Sequence, residues 1–435
     1  MADWSLDSRG NATAVPAVDL DSIVRSILFL ATFLLVWVSL HPFHDLSVPP
    51  QQLTEGGDRA NQIGFSLMFM TLAAWVAFNR ASRLKLLLQP VLIVMLVWFV
   101  LSVVASWEPA LSARRLAFTF IVMAMAAIVL LLPKNIRHFA GLIAAATLII
   151  LALSYLGVVL APARAIHQAS DSLEPEHAGS WRGVFPHKNQ AGAAMVMIAF
   201  IGLFVARVRS AAVGIVTVAL ALVFLVCSYS KTAIALLPAV MLVSFLIAKA
   251  RRRWIALVIA LAPLVALNLL PVGSIYFEQV REVLGLVMRD TSFTGRTDIW
   301  QFAMDALAQR PITGYGFGAF WGTEHVVYGL SQSATWATAA SDAHNAYLNL
   351  ALTTGIPGLV LVIVWIAVLP VVDFQRRTGN EQTEFLSLLF LRIWLFGIYS
   401  SSFESTLFQQ VGEVWFIMLV ALFGLRLQSE SHVTT

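Results

Sequence analysis

The sequence predicts an all-α, polytopic transmembrane bundle of about 12 spans with one large late loop on the outer side. Three observations carry that prediction. Hydrophobic residues fill 59% of the 435 positions and charged residues only 12%. Apolar runs of roughly 20 residues, the length that crosses a bilayer, recur from end to end. No ten-residue alternation of the kind a barrel strand requires is present, and an open strand edge cannot be satisfied in lipid, so helices are the spanning elements.

In chain order, the segment 1–22 precedes a full-length first span and reads as a cytoplasmic lead into a retained helix rather than a cleaved signal. Spans follow at 23–40, 62–78, 86–106, 116–132, 139–160, 191–208, 211–227, 232–248 and 254–270, so that 23–272 forms a bundle of about nine spans. Within it, 181–192 is an outer-loop motif. The polar stretch 273–343 is the large outer loop. Three more spans, at 345–370, 385–399 and 411–425, occupy 344–426, and 427–435 is a cytoplasmic tail. Pro90, Pro238 and Pro263 fall inside spans and are expected to kink them, as membrane helices tolerate. Trp107, Trp254 and Trp415 lie near span ends, where aromatic belts form.

Orientation follows from the short loops. Arg80, Arg83 and Lys85, then Lys134 and Arg137, Arg207 and Arg209, Lys249 and Arg251 to Arg253, and Arg376 and Arg377 fall on one side if spans alternate. That side is cytoplasmic by the positive-inside rule. The net charge of +4 is thus accounted for by loop cations, and no basic run interleaved with exposed aromatics speaks for nucleic acid. Cys227 has no second cysteine to pair with, which excludes a disulfide framework and a Cys-based metal site. Against the bias, Arg164, Arg182, Lys188, Arg281, Arg289, Arg296 and Arg310 lie on the outer face. A polyanionic ligand is one reason for cations there.

Two outer segments carry chemistry. In the first, Gly183 and Pro186 keep 181–192 out of regular helix while Arg182, His187, Lys188 and Asn189 present donors near the membrane surface. Arg offers a planar fork and Lys a point charge to phosphate oxygens. The competing reading is a snorkelling basic flank at a span end. In the second, Arg296 precedes Trp300, Phe302, Ala303 and Leu307 at helical spacing, so it opens an amphipathic helix expected to lie on the membrane. Arg310 and Pro311 end that helix, and Gly314, Gly316 and Gly318 make a turn. With no preceding strand and no acidic partner downstream, these glycines are a poor match to a nucleotide cradle.

The loop closes at Asp342, Ala343, His344 and Asn345. Asp342 is the N-cap candidate for the next span, which places His344 in the first helical turn. The positive helix end there favours neutral imidazole, as a general base requires, and attracts an anion. A lone interfacial histidine is otherwise structural. Its company with Arg182 and Arg296 is what raises it to a catalytic candidate.

Taken together, Gly295-Arg296-x-x-x-Trp300, Arg310-Pro311-x-x-Gly314-x-Gly316-x-Gly318, His344-Asn345-x-x-Leu348 and Gly355-x-Pro357-Gly358 resemble the O-antigen ligase / Wzy-type polymerase superfamily. Arg182-Gly183-x-Phe185-x-x-Lys188-Asn189 is similar to that family's outer-loop motif, and the run through Gly192 looks most like its exopolysaccharide-production, ExoQ-like branch. The resemblance implies a GT-C-like glycosyltransferase of the bacterial inner membrane, with its active site on the periplasmic side. It also implies an undecaprenyl-diphosphate-linked glycan donor, a glycan acceptor, no cofactor and no metal. By the same resemblance Arg182, Arg296 and His344 are catalytic, and transfer proceeds by direct, inverting attack of an acceptor hydroxyl. Lys188, Asn189, Arg289, Asp342 and Asn345 are the candidate substrate-binding neighbours.

Three functions remain in competition at this point. A polymerase joining lipid-linked repeat units is favoured by the ExoQ-like run. An O-antigen ligase would use the same donor but pass the glycan to lipid A-core. A transporter of lipid-linked sugars would carry charged relays within its spans, whereas here Arg392 is the clearest charge inside a span, with Glu404 and Glu413 near the last outer turn.

Overall fold

The computed structural model describes residues 19–48, 58–79, 84–172, 174–287, 296–329, 340–377, 380–409 and 412–430. Arg80, Arg83, Arg289 and Gly295 of the motifs above lie outside these residues. Helices are the regular elements of the described residues, and one isolated bridge, Ile166 to Trp181, is the sole extended pairing among them.

The long helices are α1 (Leu20–Val38), α2 (Arg59–Asn79), α3 (Pro90–Val104), α4 (Pro109–Val129), α5 (Ile136–Leu160), α6 (Lys188–Val208), α7 (Ala211–Cys227), α8 (Lys231–Lys249) and α9 (Arg253–Tyr276). They continue with α10 (Glu278–Val287), α11 (Arg296–Gln309), α12 (Ala346–Ile363), α13 (Glu381–Ser400) and α14 (Glu413–Glu430). Helix α12 runs on through a wide turn at Val364–Val368 into Leu369–Arg376. Nine of the described helices are long and apolar enough to cross a membrane, and α3 and α7 are shorter apolar helices. With α14, these coincide with the twelve stretches predicted from hydropathy.

Local chemistry sets many of the helix starts. The side chains of Asp19, Asn135, Ser210 and Asn380 each accept a backbone N–H in the first turn of α1, α5, α7 and α13. Pro90, expected inside a span, instead opens α3, where its missing N–H costs nothing. Pro238 and Pro263 do lie within α8 and α9.

Helix α14 occupies the middle of the bundle. Every residue from 414 to 425 is buried, against α13, α4 and the segment Leu369–Arg376, which is why it is apolar on all faces. Outward, Phe78, Val104 and Leu160 are 90%, 77% and 76% exposed. Such an apolar exterior is stable only against lipid, and the chain is a multi-pass membrane protein.

The large loop does not lie on the membrane as a free amphipathic helix. The apolar stripe of α11, namely Ile299, Trp300, Ala303, Ala306 and Leu307, is covered by Tyr315, Phe320 and Trp321 of the glycine turn and by Leu348, Ala351 and Leu352 of α12. Protein takes the place the sequence assigned to lipid. The glycine turn docks on a break in α12: Tyr315 N–H donates to Leu352 O at 3.0 Å, Gly316 N–H to Thr353 O at 2.9 Å, and Ile356 N–H to Pro311 O at 2.8 Å. The break is Gly355, at φ 73°, where a Cβ would collide with the Ile312 carbonyl. Two of the sequence motifs are therefore two sides of one joint. Arg310 closes it, with its guanidinium 4.8 Å from the Trp107 ring centre and 5.4 Å from that of Tyr315.

Candidate active site

The turn after α13 carries Glu404, and three of the sequence-predicted residues meet there. Its Oε1 accepts from Asn189 Nδ2 at 3.0 Å and from Arg296 Nη2 at 3.2 Å. Its Oε2 lies 3.7 Å from His344 Nδ1, an ionic contact rather than a hydrogen bond. Asp342 faces the same imidazole nitrogen at 3.8 Å. Arg296 further donates through Nη1 to Phe403 O, so the first residue of α11 is fixed to the turn by both terminal guanidinium nitrogens.

His344 is held by its neighbours on every side. It adopts the left-handed region at φ 46°, a conformation that strains most residues and persists only where the surroundings enforce it. Its N–H donates to Asp342 Oδ1 at 2.6 Å, and the carbonyl of Ala343 before it accepts from the buried Trp300 indole at 2.9 Å. The residue after it, Asn345, is the true N-cap of α12: its side-chain oxygen accepts from Tyr347 N and Leu348 N, both at 3.0 Å. Helix α12 thus begins at Ala346. Asp342 is not its cap, and His344 precedes the first turn instead of occupying it. The reason is tertiary. Asn345 Nδ2 also donates to Asn268 Oδ1 at 3.0 Å and Ser402 O at 3.2 Å, and Ala346 N donates to Ser401 O at 2.8 Å. These bonds tie the start of α12 to the turn that bears Glu404.

The electrostatics follow from that geometry. Burial pushes the His344 imidazole towards neutrality, but the carboxylates of Glu404 and Asp342 more than offset it, and its pKa is raised from the ordinary histidine value. For Glu404 burial acts upward, and the cationic partners His344 and Arg296 prevail, holding the carboxyl below its usual range. The site is therefore a carboxylate flanked by a guanidinium and an imidazole that favours its charged form.

Asn189, which contacts Glu404, and Lys188 before it are held in place by a pair of relays. Asp171 Oδ2 meets His167 Nδ1 at 2.9 Å, and His167 Nε2 accepts from Lys188 N at 3.2 Å. In parallel, Glu174 Oε2 meets His187 Nε2 at 2.7 Å, and His187 Nδ1 accepts from Asn189 N at 3.1 Å. Two carboxylate–imidazole pairs thus cap the first two amides of α6. Burial lowers the pKa of His167 to about 4, and the hydrogen bond with His187 lowers that of Glu174 to about 2, so this cap holds at neutral pH. Glu174, His177 and His187 also place one ligand atom each within 4.8 Å of one another, as a metal tripod would need. Nδ1 of His187 is taken by the Asn189 amide, while its Nε2 faces Glu174 Oε2 at 2.7 Å as an ionic contact without hydrogen-bond geometry.

Arg182 is elsewhere. Its side chain is buried, with Nη1 donating to Phe185 O at 3.2 Å and Nη2 to His44 O. It fastens the 181–190 strap to the loop after α1, and Nε is the nitrogen left without a partner. Lys188 makes no ion pair among the described residues. Glu404, on which the arrangement turns, was visible in the sequence only as an acidic residue in the last outer turn.

Comparison with known proteins bears on the same region. Residues 216–363 match the family model Wzy_C, described as O-Antigen ligase. That span contains Arg296, Asp342, His344 and Asn345 but not Arg182, Lys188, Asn189 or Glu404. The chain is also 32% identical over 98 residues to the "Exopolysaccharide production protein ExoQ" of Rhizobium meliloti (strain 1021). That similarity spans 21% of this chain and 21% of the relative.

Proposed function

We propose that this chain is a member of the O-antigen ligase / Wzy-type family, in its ExoQ-like branch, and an inner-membrane glycosyltransferase that polymerises undecaprenyl-diphosphate-linked repeat units on the periplasmic side, a reading that the partial matches support. The observation that carries the reading is the convergence of Arg296, Asn189 and His344 on Glu404. It puts a cation able to pair with a leaving phosphate beside an imidazole able to take a proton.

In this reading the acceptor hydroxyl attacks the anomeric carbon of the donor from the face opposite the diphosphate. The new C–O bond forms as the C–O bond to phosphate breaks, and configuration inverts. His344 accepts the hydroxyl proton, and Glu404 and Asp342 stabilise the resulting imidazolium, as a buried carboxylate does for a catalytic histidine. Arg296, with Lys188 at the start of α6, neutralises the charge that gathers on the departing diphosphate. The relays through His167 and His187 set the position of Lys188 and Asn189, and Arg182 holds the strap that carries them. The step requires no metal, because the guanidinium and ammonium supply the positive charge.

Similarity to an exopolysaccharide production protein favours a free polysaccharide as the product, which a repeat-unit polymerase makes and a lipid A-core ligase does not. Deletion of the gene followed by analysis of the lipid-linked glycan pool tests this. Accumulated single repeat units are the expected result, and accumulated long lipid-linked polymer would make the protein a ligase.

A further inference from the structure

A second polar cavity, of about 300 Å3, opens where α1 ends and α2, α6 and α14 begin. It is distinct from the Glu404 site and shares only the 184–190 strap with it. Two buried polar atoms face it without a partner among the described residues, and a buried carboxyl that meets only its own backbone N–H joins them. The Trp37 indole N–H has no acceptor although Trp37 is only 2% exposed. Gln190 Oε1 has no donor. The Glu413 carboxyl, on a residue 6% exposed, has no cation beside it among the described residues. On the opposite wall His41 Nδ1 pairs with Asp58 Oδ2 at 2.9 Å, and Phe118 adds an aromatic face.

Buried donors and acceptors without partners are rare, and a cluster of them around one cavity calls for a ligand that supplies hydrogen bonds. The chemistry required is specific. An indole N–H needs an acceptor, an amide oxygen needs a donor, a carboxylate needs one or two donors, and Phe118 with Val36 and Val184 needs C–H surface. A pyranose ring offers hydroxyls that do both and an apolar face. The volume lies at the low end of ligand pockets, roughly 300–1,000 Å3, which suits one sugar residue and excludes a folded oligosaccharide. No Arg or Lys among the described residues lines the cavity, so it is not built for the diphosphate.

We propose that this cavity binds one pyranose residue of the glycan substrate, a subsite separate from the Arg296–His344 centre. The inference rests on the glycan-transfer reading given above and adds the place where a sugar is held. Gln190 joins the two sites, since it follows Asn189 on the first turn of α6 and Asn189 contacts Glu404. The sugar belongs either to the donor or to the acceptor, and the kinetics separate these sources.

The test uses the full-length protein in lipid nanodiscs with two conservative variants, Trp37→Phe, which keeps the ring and removes the N–H, and Glu413→Gln. Melting temperatures within a few degrees of wild type establish that each folds. In a transfer assay each variant raises KM about tenfold, the effect of roughly one lost hydrogen bond to a buried group, with kcat within about twofold. A rise for the single repeat unit alone assigns the sugar to the acceptor, and a rise for the growing-chain lipid alone assigns it to the donor. Unchanged KM for both substrates would overturn the subsite and leave a water-filled void. A second arm does not need turnover: saturation-transfer NMR with the repeat-unit oligosaccharide released from the host's lipid-linked pool by mild acid. Binding by wild type that is weakened in Trp37→Phe supports the cavity even if no transfer is seen, in which case the catalytic reading fails alone. No saccharide binding by wild type and no KM effect would overturn the subsite.

Discussion

Asn189 and Arg296, 107 positions apart in sequence, donate to the same oxygen of Glu404, at 3.0 Å and 3.2 Å. Through that oxygen the strap before α6, the large loop before α12 and the turn after α13 form one rigid site. In the proposed reaction Glu404 acts through its partners.

Glu404→Gln keeps the shape and removes the charge. His344 then loses the partner that helps raise its pKa. A general base acts when deprotonated, so in wild type activity rises with pH through a value above the ordinary histidine range. In Glu404→Gln that limb moves to lower pH, while maximal turnover falls about ten- to a hundredfold as Arg296 loses its anchor. The pH profile of kcat/KM checks this, and an unmoved acid limb would separate Glu404 from His344.

Arg296→Ala should abolish transfer with expression intact. Arg296→Lys should not restore it fully, because Nη1 and Nη2 serve Phe403 O and Glu404 separately and an ammonium cannot span both while meeting phosphate. Full activity in Arg296→Ala would remove the large loop from the chemistry.

How much of this was legible in the sequence varies with the range of the interaction. The twelve helical stretches follow from hydropathy, a local property, and all twelve are present as helices. The role of Asn345 was hidden because Asp342 and Asn345 are equally good caps by local rules. Bonds to Asn268 and Ser402, 77 and 57 residues away, decide between them. The placement of Arg182 could not be read either, since a buried guanidinium bound to carbonyls and an exposed phosphate fork have the same sequence signature. Glu404 pairs across 215 and 108 residues, and no spacing rule reaches that far.

The joint between the glycine turn and α12 predicts a stability effect. Gly355→Ala places a Cβ against the Ile312 carbonyl at a positive φ and should cost about 1–3 kcal/mol, whereas Gly285→Ala, with nothing within 4 Å, should be neutral or slightly stabilising in its helix. Thermal unfolding of both variants in detergent distinguishes them, and equal melting temperatures would refute the docked joint.

Topology can be tested with reporter fusions. Fusions near Arg251 and Arg376 should report cytoplasm and one near Gly329 the periplasm, as the positive-inside bias demands. A cytoplasmic Gly329 would place the Glu404 site on the wrong side for the proposed substrate.

The most direct test of the account is single-turnover transfer by purified protein supplied with undecaprenyl-diphosphate-linked repeat units, with donor binding measured separately. Wild type should release undecaprenyl diphosphate and lengthen the glycan, with or without chelator. His344→Ala should bind donor normally and turn over roughly two to four orders of magnitude more slowly, and His187→Ala, which touches only the cap of α6, should lose far less. Donor binding lost in His344→Ala, or wild-type turnover abolished by chelator, would contradict the assignment of the proton to His344 and of the diphosphate to Arg296.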